Sequence, residues 1–478
     1  MPLILPKTKP VSFLSWEGAW GAFLRRTDWW TILALIVLTA WGIAAIYSTN
    51  SLRTPAFFGQ NFAPRQLVFV LIGWCAYLVV ALVEPRIFER YAKWVYLAGI
   101  LLLLPLAVCA VFNINIGSVI AARYGARRWI ILPGFSIQPS EIAKITTLVL
   151  LARITAHGVR FADLVWVERK ATLFFRTILP LFLWRGAHRP LLPVLPLLVR
   201  VFWVAALPFG LIFLQPDLGS ALTYVPMVFA LLLAASVPFR FFFLMAFLSL
   251  PGAAVLTADM TLYGQALKAQ QEIQTAANAP YKDPAEAIRG THRGILPIRN
   301  YHRERIMTLF APELIDRRGI GKSWQPRQAR MAVARGGISG QGFGKGTLVQ
   351  LGWLPETAAH NDFLFSSISE ESGFIGASAL VALFTFLIVR TLRTAVAARN
   401  NFGARLAVGV AVTTAVHVFV NIGMNIGMMP VTGVSLPFLS YGGSFIISCF
   451  LLFGMVQSIH RDSRPIMAVP PASDLATT

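Results

Sequence analysis

The stretch Arg330–Gly376, RMAVARGGISGQGFGKGTLVQLGWLPETAAHNDFLFSSISEESGFIG, runs from a basic, glycine-rich segment straight into an apolar one that opens at Phe363. It sets cations, carboxylates and glycine-rich backbone against what reads as the start of a membrane span. A polar island in such a place is a candidate functional site. Its surroundings are oil-soluble: 56% of the 478 residues are hydrophobic and only 13% are charged.

Outward from this stretch, apolar runs of about 18 or more residues recur, each able to cross a ~30 Å hydrocarbon core. They lie near residues 29–47, 67–83, 94–114, 138–155, 197–214, 219–235, 241–257, 363–389, 406–428 and 441–459. The expected fold is therefore an all-α polytopic membrane protein of about ten transmembrane helices, with a large extracytoplasmic loop between the seventh and eighth. In this scheme 1–28 is a cytoplasmic segment, and 29–257 carries helices one to seven with a basic cytoplasmic insertion at 156–196. The outer loop spans 258–362, helices eight to ten span 363–459, and 460–478 is a cytoplasmic tail. Within the insertion, the apolar pieces 179–183 and 191–201 are broken by Arg185, Arg189 and prolines, which reads as an interfacial helix rather than an eleventh span. No small-residue cleavage pattern follows Tyr47, so the first run reads as a retained anchor. Cys75, Cys109 and Cys449 fall in apolar runs and read as buried packing residues, with no disulfide framework or metal cluster.

The net charge of +21 invites a nucleic-acid reading, but its distribution argues against one. Arg86, Arg90 and Lys93, Arg160 to Arg189, Arg390 to Arg405, and Arg461 with Arg464 all flank spans on the side shared with the N-terminus. The positive-inside rule makes that side cytoplasmic, and attraction to anionic membrane lipids accounts for most of the charge. The outer loop is the exception, carrying Arg303, Arg305, Arg317, Arg318, Lys322, Arg330, Arg335 and Lys345. An anionic ligand and a merely solvated basic loop both fit it. The glycines from Gly336 to Gly346 do not make a P-loop, because Ser339 stands where the first glycine belongs and Gly346 where Ser or Thr should follow the lysine. A flexible hinge is the reading that the local pattern favours.

Three carboxylates stand at outer helix starts. Glu141 and Lys144, three residues apart in an apolar run, share a helix face, either as an ion pair fixing helix register or as part of a polar cleft. Asp217 and Asp362 each precede a span, where Asp is a favoured N-cap. A helix N-terminus favours the ionised form, so capping and proton acceptance are compatible at Asp362. Glu356, His360 and Asn361 precede it and Glu370 and Glu371 follow. His360 lacks metal-site spacing and reads as a surface histidine.

These motifs resemble the RodA/FtsW (SEDS) proteins. The matching elements are Arg128-Trp129-Ile130, Gln138-Pro139-Ser140-Glu141 with Lys144, Gln215-Pro216-Asp217-Leu218-Gly219, Gly342–Gly346, Leu354-Pro355-Glu356 and Asp362-Phe363. The most specific is Asn421-Ile422-Gly423-Met424 through Pro430, Thr432-Gly433, Leu436-Pro437-Phe438 and Ser440-Tyr441-Gly442-Gly443-Ser444, whose opening looks closer to RodA. The chain departs from the family in the longer gap between Glu356 and Asp362, in Asn361 where Thr is usual, in Arg335 where Ser is usual, and in the long basic insertion.

The resemblance implies a peptidoglycan glycosyltransferase that polymerises lipid II into glycan strands during cell-wall elongation, releasing undecaprenyl pyrophosphate. Asp362 maps onto the family's essential aspartate, the expected catalytic base. Arg128, Lys144 and Arg335 are candidate pyrophosphate contacts, with Glu141, Asp217, Lys345 and Glu356 completing the expected substrate-binding set. A divalent cation, Mg2+ or Mn2+, bridging carboxylate and pyrophosphate is chemically sensible, but no metal ligand set is legible. Expected partners are a class B penicillin-binding transpeptidase, other elongation-complex membrane proteins and membrane lipids, with no nucleic acid. The expected location is the bacterial cytoplasmic (inner) membrane, with both termini cytoplasmic. The rival readings are a lipid II flippase, a non-catalytic scaffold and the cell-division (FtsW-like) paralogue.

Overall fold

The computed structural model describes residues 26–51, 62–112, 114–117, 119–120, 127–132, 135–157, 194–276, 294–296, 298, 300–316, 319, 321, 323–353 and 359–463. Glu356 and most of the basic insertion expected at 156–196 lie outside these residues. The chain is a helical bundle opening with α1 (Trp29–Ser51), α2 (Phe62–Leu82) and α3 (Pro85–Phe112). A two-stranded antiparallel hairpin follows, β1 (Ile130–Leu132) and β2 (Phe135–Ile137), with Ile130 opposite Ile137. Then come α4 (Pro139–His157), α5 (Leu195–Leu214), α6 (Leu218–Leu222), α7 (Tyr224–Ala234) and α8 (Phe239–Ala276). The segment between α8 and the last three helices holds α9 (Asn300–Phe310), α10 (Pro312–Ile315), α11 (Trp324–Gly336) and α12 (Thr347–Gln350). The bundle closes with α13 (Leu364–Ala397), α14 (Asn401–Asn425) and α15 (Gly443–Asp462).

Among the described residues, 8 helices are long and apolar enough to cross a membrane: α1, α2, α3, α5, α8, α13, α14 and α15. Helix α4 and the continuous pair α6–α7 occupy the two remaining expected positions. Helix α4 is the least apolar of the bundle because it carries Glu141, Lys144 and Arg153, and nearly all of its residues are buried. An ion pair belongs on such a helix, since lipid would leave it unsolvated. The lipid-facing side is made by residues such as Leu67, Leu71 and Val79 of α2 and Phe239, Phe243 and Phe247 of α8, all exposed. Cys75 is exposed on α2, which corrects the expectation that all three cysteines are buried; Cys109 and Cys449 are buried.

Close approach of α2 and α15 depends on glycine. A Cβ at Gly454 would stand 2.9 Å from the carbonyl oxygen of Tyr77, and one at Gly73 would enter the ring of Phe450. Helix α8 continues well past the apolar run expected to end at 257. Its outer part is held by a fully buried pair: Arg303 donates from Nε to Asp259 Oδ2 at 2.8 Å and from Nη2 to Oδ1 at 3.2 Å. The same guanidinium donates to the carbonyls of Leu296 and Ile298, both at 2.7 Å. Arg303 is thus not part of a cationic outer surface but the joint that ties α8 to the start of α9.

The glycine-rich run is not a hinge. Glu370 and Glu371, two turns into α13, reach out of the bundle and hold it: Leu348 N donates to Glu370 Oε1 at 2.8 Å and Gly344 N to Glu371 Oε1 at 3.2 Å. The backbone N–H groups of Gln341 and Gly342 donate to the carbonyls of Glu370 and Glu371 at 3.0 and 2.9 Å. These carbonyls are freed where α13 kinks at Gly373, which has φ of 65°. The run lies so close that a Cβ at Gly340, where φ is +80°, would sit 2.2 Å from the oxygen of Glu371.

Gly340→Ala should therefore cost both left-handed strain and overpacking, ~2–4 kcal/mol together. Gly337→Ala, at φ +54° with no atom within 4 Å of the added methyl, should cost only the strain. Thermal unfolding of the two variants in detergent checks this ordering.

Candidate functional site

The N-terminal ends of α4, α6 and α13 and the C-terminal end of α14 converge with the base of the β1–β2 hairpin. Asp217 precedes α6 and caps it, accepting from Ser220 N at 3.3 Å, as its sequence context suggested. It does more than cap. Its other oxygen accepts from Gln138 Nε2 at 3.0 Å and Ser140 Oγ at 3.4 Å, and Arg128 Nη1 stands 3.8 Å from Oδ1. Burial raises the pKa of Asp217, but the Arg128 charge and the Ser220 hydrogen bonds outweigh it and hold the carboxyl below the usual aspartate range. Arg128, which also donates to the carbonyls of Gln215 and Pro216, is therefore bound to the turn before α6.

One turn below, Lys144 Nζ lies 2.8 Å from Glu141 Oε1 and 3.2 Å from His417 Nε2, all three side chains buried. His417 Nδ1 lies 3.3 Å from the carbonyl oxygen of Ser435. The expected face-sharing of Glu141 and Lys144 is present, and it draws in a histidine from α14. Lys144 thus has two protein partners, one from its own helix and one from α14.

Asp362 has a different environment. The N-cap of α13 is Phe363, with no side-chain cap bond, so Asp362 does not cap the helix as the sequence suggested. Its backbone is fixed instead from α14: Asn421 Nδ2 donates to the Asp362 carbonyl at 3.1 Å and Asn425 Nδ2 to the same oxygen at 3.0 Å. Asn421 also donates to Val434 O at 2.8 Å, and Asn425 Oδ1 accepts from Ser366 Oγ at 2.5 Å. On the other side, Ser440 Oγ donates to Asn361 O at 2.7 Å and Tyr441 N to His360 O at 2.9 Å. His360 is buried, stacked on Phe62 with ring centroids 4.5 Å apart, not a surface histidine. Three consecutive carbonyls are thus pinned, while among the described residues no donor reaches the half-buried Asp362 carboxylate.

Burial raises the pKa of that carboxylate above the usual aspartate value, against the pull of Arg305 and then Arg128, with Asp217 adding to the rise. Burial, rather than the expected helix-terminus stabilisation of the anion, sets its affinity for a proton. A Cβ at Gly433, where φ is +77°, would come within 3.4 Å of Asp362 Oδ2. Glycine there keeps both the turn and the space beside the carboxylate.

Arg305 of α9 completes the group. Its guanidinium lies over the Tyr301 ring, 4.6 Å from the centroid, with no carboxylate in salt-bridge contact among the described residues. Burial lowers its pKa, while the charges of Asp362 and Asp217 act in the opposite direction. Nothing in the sequence separates Arg305 from the other outer-loop cations. Asn421 and Asn425, by contrast, leave a signal: two amides four residues apart on one face of an apolar helix. Arg335 and Lys345 are exposed on the glycine-rich segment, and neither bears on Asp362 as Arg305 and Arg128 do. The charge of Arg335 acts on Glu370 instead. Among the described residues, no group of three or more His, Cys, Asp or Glu side chains could hold a metal ion.

The family model FTSW_RODA_SPOVE, described as cell cycle protein, matches residues 28–465. The chain belongs to this family. It is 30% identical over 438 residues to the probable peptidoglycan glycosyltransferase FtsW of Trichlorobacter lovleyi, covering 91% of this chain and 93% of that one. It is also 30% identical over 435 residues to the peptidoglycan glycosyltransferase MrdB of Escherichia coli K12, with the same coverage of 91% and 93%. The fold is that of a chain solved in a study of structural coordination of polymerization and crosslinking by a peptidoglycan synthase complex, with a TM-score of 0.59 and 24% identity over 91% of this chain and 98% of that one. It likewise matches Thermus thermophilus rod shape determining protein RodA, with a TM-score of 0.53 and 22% identity over 92% and 98%.

Asp217→Ala should lower the unfolding temperature by the loss of a cap and two side-chain bonds, at least ~1 kcal/mol. Because the folded pKa of Asp217 is depressed, its contribution is full above the unfolded value of about 3.9 and fades as pH falls through the folded one. The gap between wild type and variant, followed by thermal unfolding, should narrow below about pH 4.

Proposed function

We propose that this family member is a peptidoglycan glycosyltransferase that polymerises lipid II, with Asp362 as its general base. The supporting observation is the Asp362 carboxylate itself: backbone-pinned, free of donors among the described residues, raised in pKa and facing the charges of Arg305 and Arg128. The glycosyltransferase names of the relatives at 30% identity agree with this reading.

In the proposed step an acceptor sugar hydroxyl attacks the anomeric carbon of a lipid-linked donor. The hydroxyl proton passes to Asp362 as the new C–O bond forms, and the bond to undecaprenyl pyrophosphate breaks with its electron pair on the departing oxygen. A base must stand within ~2.6–3.2 Å of that hydroxyl, and a raised pKa improves its match to neutral pH. Arg305, and Arg128 from its carbonyl-anchored position, supply positive charge where the pyrophosphate charge develops. Asp217 orients Arg128, and the Glu141–Lys144–His417 group holds α4 against α14 beneath the site. Arg335, Lys345 and Glu356 remain candidates for more distal parts of the substrate. A free carboxylate beside pyrophosphate oxygens is a donor set that suits Mg2+ or Mn2+, and an ion bound there would add to the same charge neutralisation.

The chain sits in the cytoplasmic membrane with both termini inside and the site facing out. Its partner is a class B penicillin-binding transpeptidase, a reading supported by the fold match to a chain from a peptidoglycan synthase complex. The Asn421–Met424 motif favours elongation; the relatives named FtsW favour division as a second reading. Restoration of rod shape, as opposed to septation, in cells depleted of each paralogue separates the two.

With the transpeptidase blocked at its own active site, wild-type protein should form glycan strands from labelled lipid II, and Asp362→Asn should be slower by at least ~100-fold. Polymer from both would place the base elsewhere, and lipid II translocation without polymer would point to a flippase. Since Asp362 must be ionised to accept a proton, activity should fall as pH drops through its raised pKa. Arg305→Gln removes the largest charge opposing that rise, so the acid limb should move to higher pH, together with a higher KM.

A further inference from the structure

Helix α14 links the two faces of the bundle. Its C-terminal Asn425 holds Asp362, and its first residue, Asn401, lies ~36 Å away at 1.5 Å per residue, on the cytoplasmic face. At that end α7, α13 and α14 leave a cavity of about 470 Å³. Its walls are largely apolar, including Ala234, Leu392, Ala395 and Val408, with Val396 90% exposed at the rim. One cation, Arg405, lines it.

Two neighbouring cations of this face have carboxylate partners. Arg390 donates to Asp28 at 2.5 and 3.2 Å, and Arg399 lies 3.8 Å from Asp462. Arg405 pairs with no described carboxylate, and its Nη1 is buried with no hydrogen-bond acceptor. A solvated arginine would extend its head to water. Here Nη1 of the half-buried head is enclosed by protein at a membrane boundary, where an unpaired guanidinium N–H is costly. An anion with an apolar body meets both demands at once.

We propose that this cavity binds one anionic phospholipid of the inner leaflet, its phosphate on Arg405 and part of an acyl chain along Leu392, Ala395 and Val408. The volume suits part of one chain rather than a whole lipid. A basic pocket between membrane helices on the cytoplasmic side is a setting in which anionic head groups bind. The bound lipid would clamp the kinked α13 to α14, the two helices that carry Asp362 between them. The proposal does not rest on the catalytic reading, because its test reads binding alone.

The experiment is native mass spectrometry of full-length protein in mild detergent, titrated with phosphatidylglycerol or with phosphatidylcholine of the same chains. Wild type should keep one phosphatidylglycerol molecule with at least about fivefold preference over phosphatidylcholine. Arg405→Gln should lose that one molecule and Arg405→Lys retain it in part. Val408→Trp, which fills the apolar wall and leaves the charge, should lose it as well. Unfolding temperatures of the variants without added lipid serve as the folding control. Equal retention by wild type and a folded Arg405→Gln overturns the proposal. So does preferential, Arg405-dependent retention of undecaprenyl pyrophosphate over phosphatidylglycerol, which would make the cavity a site for the lipid carrier.

Discussion

Two amides of α14 grip one carbonyl, that of Asp362, and the geometry of the site around it follows from that grip. Asn421 and Asn425 sit four residues apart, so both side chains converge on a single point beside their helix. Satisfying the backbone of Asp362 from behind leaves its carboxylate directed elsewhere, with no donor among the described residues, in a setting where buried polar groups are normally paired. The price is met by neighbours: Ser366, Ser440 and Tyr441 secure the remaining groups of the turn.

The same economy governs the rest of this end of the bundle. Carboxylates in this chain hold structure before they touch any substrate. Asp217 ties α6 to the hairpin and to Arg128, Asp259 ties α8 to α9 through Arg303, and Glu370 and Glu371 hold the glycine-rich run. Each places a cation or a backbone segment at the membrane boundary. Arg303 and Arg305, two residues apart on α9, divide the labour: one is buried in an ion pair, and the other is left to face Asp362. The position of Arg305 therefore depends on a joint made with a membrane helix whose apolar side is exposed to lipid.

Much of this was legible in the sequence because hydrocarbon thickness imposes a length on every span. The ten positions, the starts of α4, α6 and α13, and the shared face of Glu141 and Lys144 follow from run length and from helical periodicity. The capping role of Asp217 was legible for the same local reason. The matching expectation failed at Asp362 because α13 begins one residue later than the apolar pattern suggests, with Phe363 in the capping place. The glycine-rich run misled in the opposite sense. Its glycines answer to close approach by the carbonyls of Ser369 and Glu371, which are far enough away in sequence that no local pattern announces them.

The sequence by itself determined a polytopic helical membrane protein and its family, since these depend on composition, period and motif. Only the tertiary structure decided which charges meet. It chose Arg305 over its neighbours in the same loop, turned Lys144 inward to His417, and set the charge of Arg335 against Glu370 rather than Asp362. Electrostatic partnership falls off over a few ångströms, whereas the partners here are separated by tens to hundreds of residues, so it is fixed by how helices pack and not by what lies along the chain.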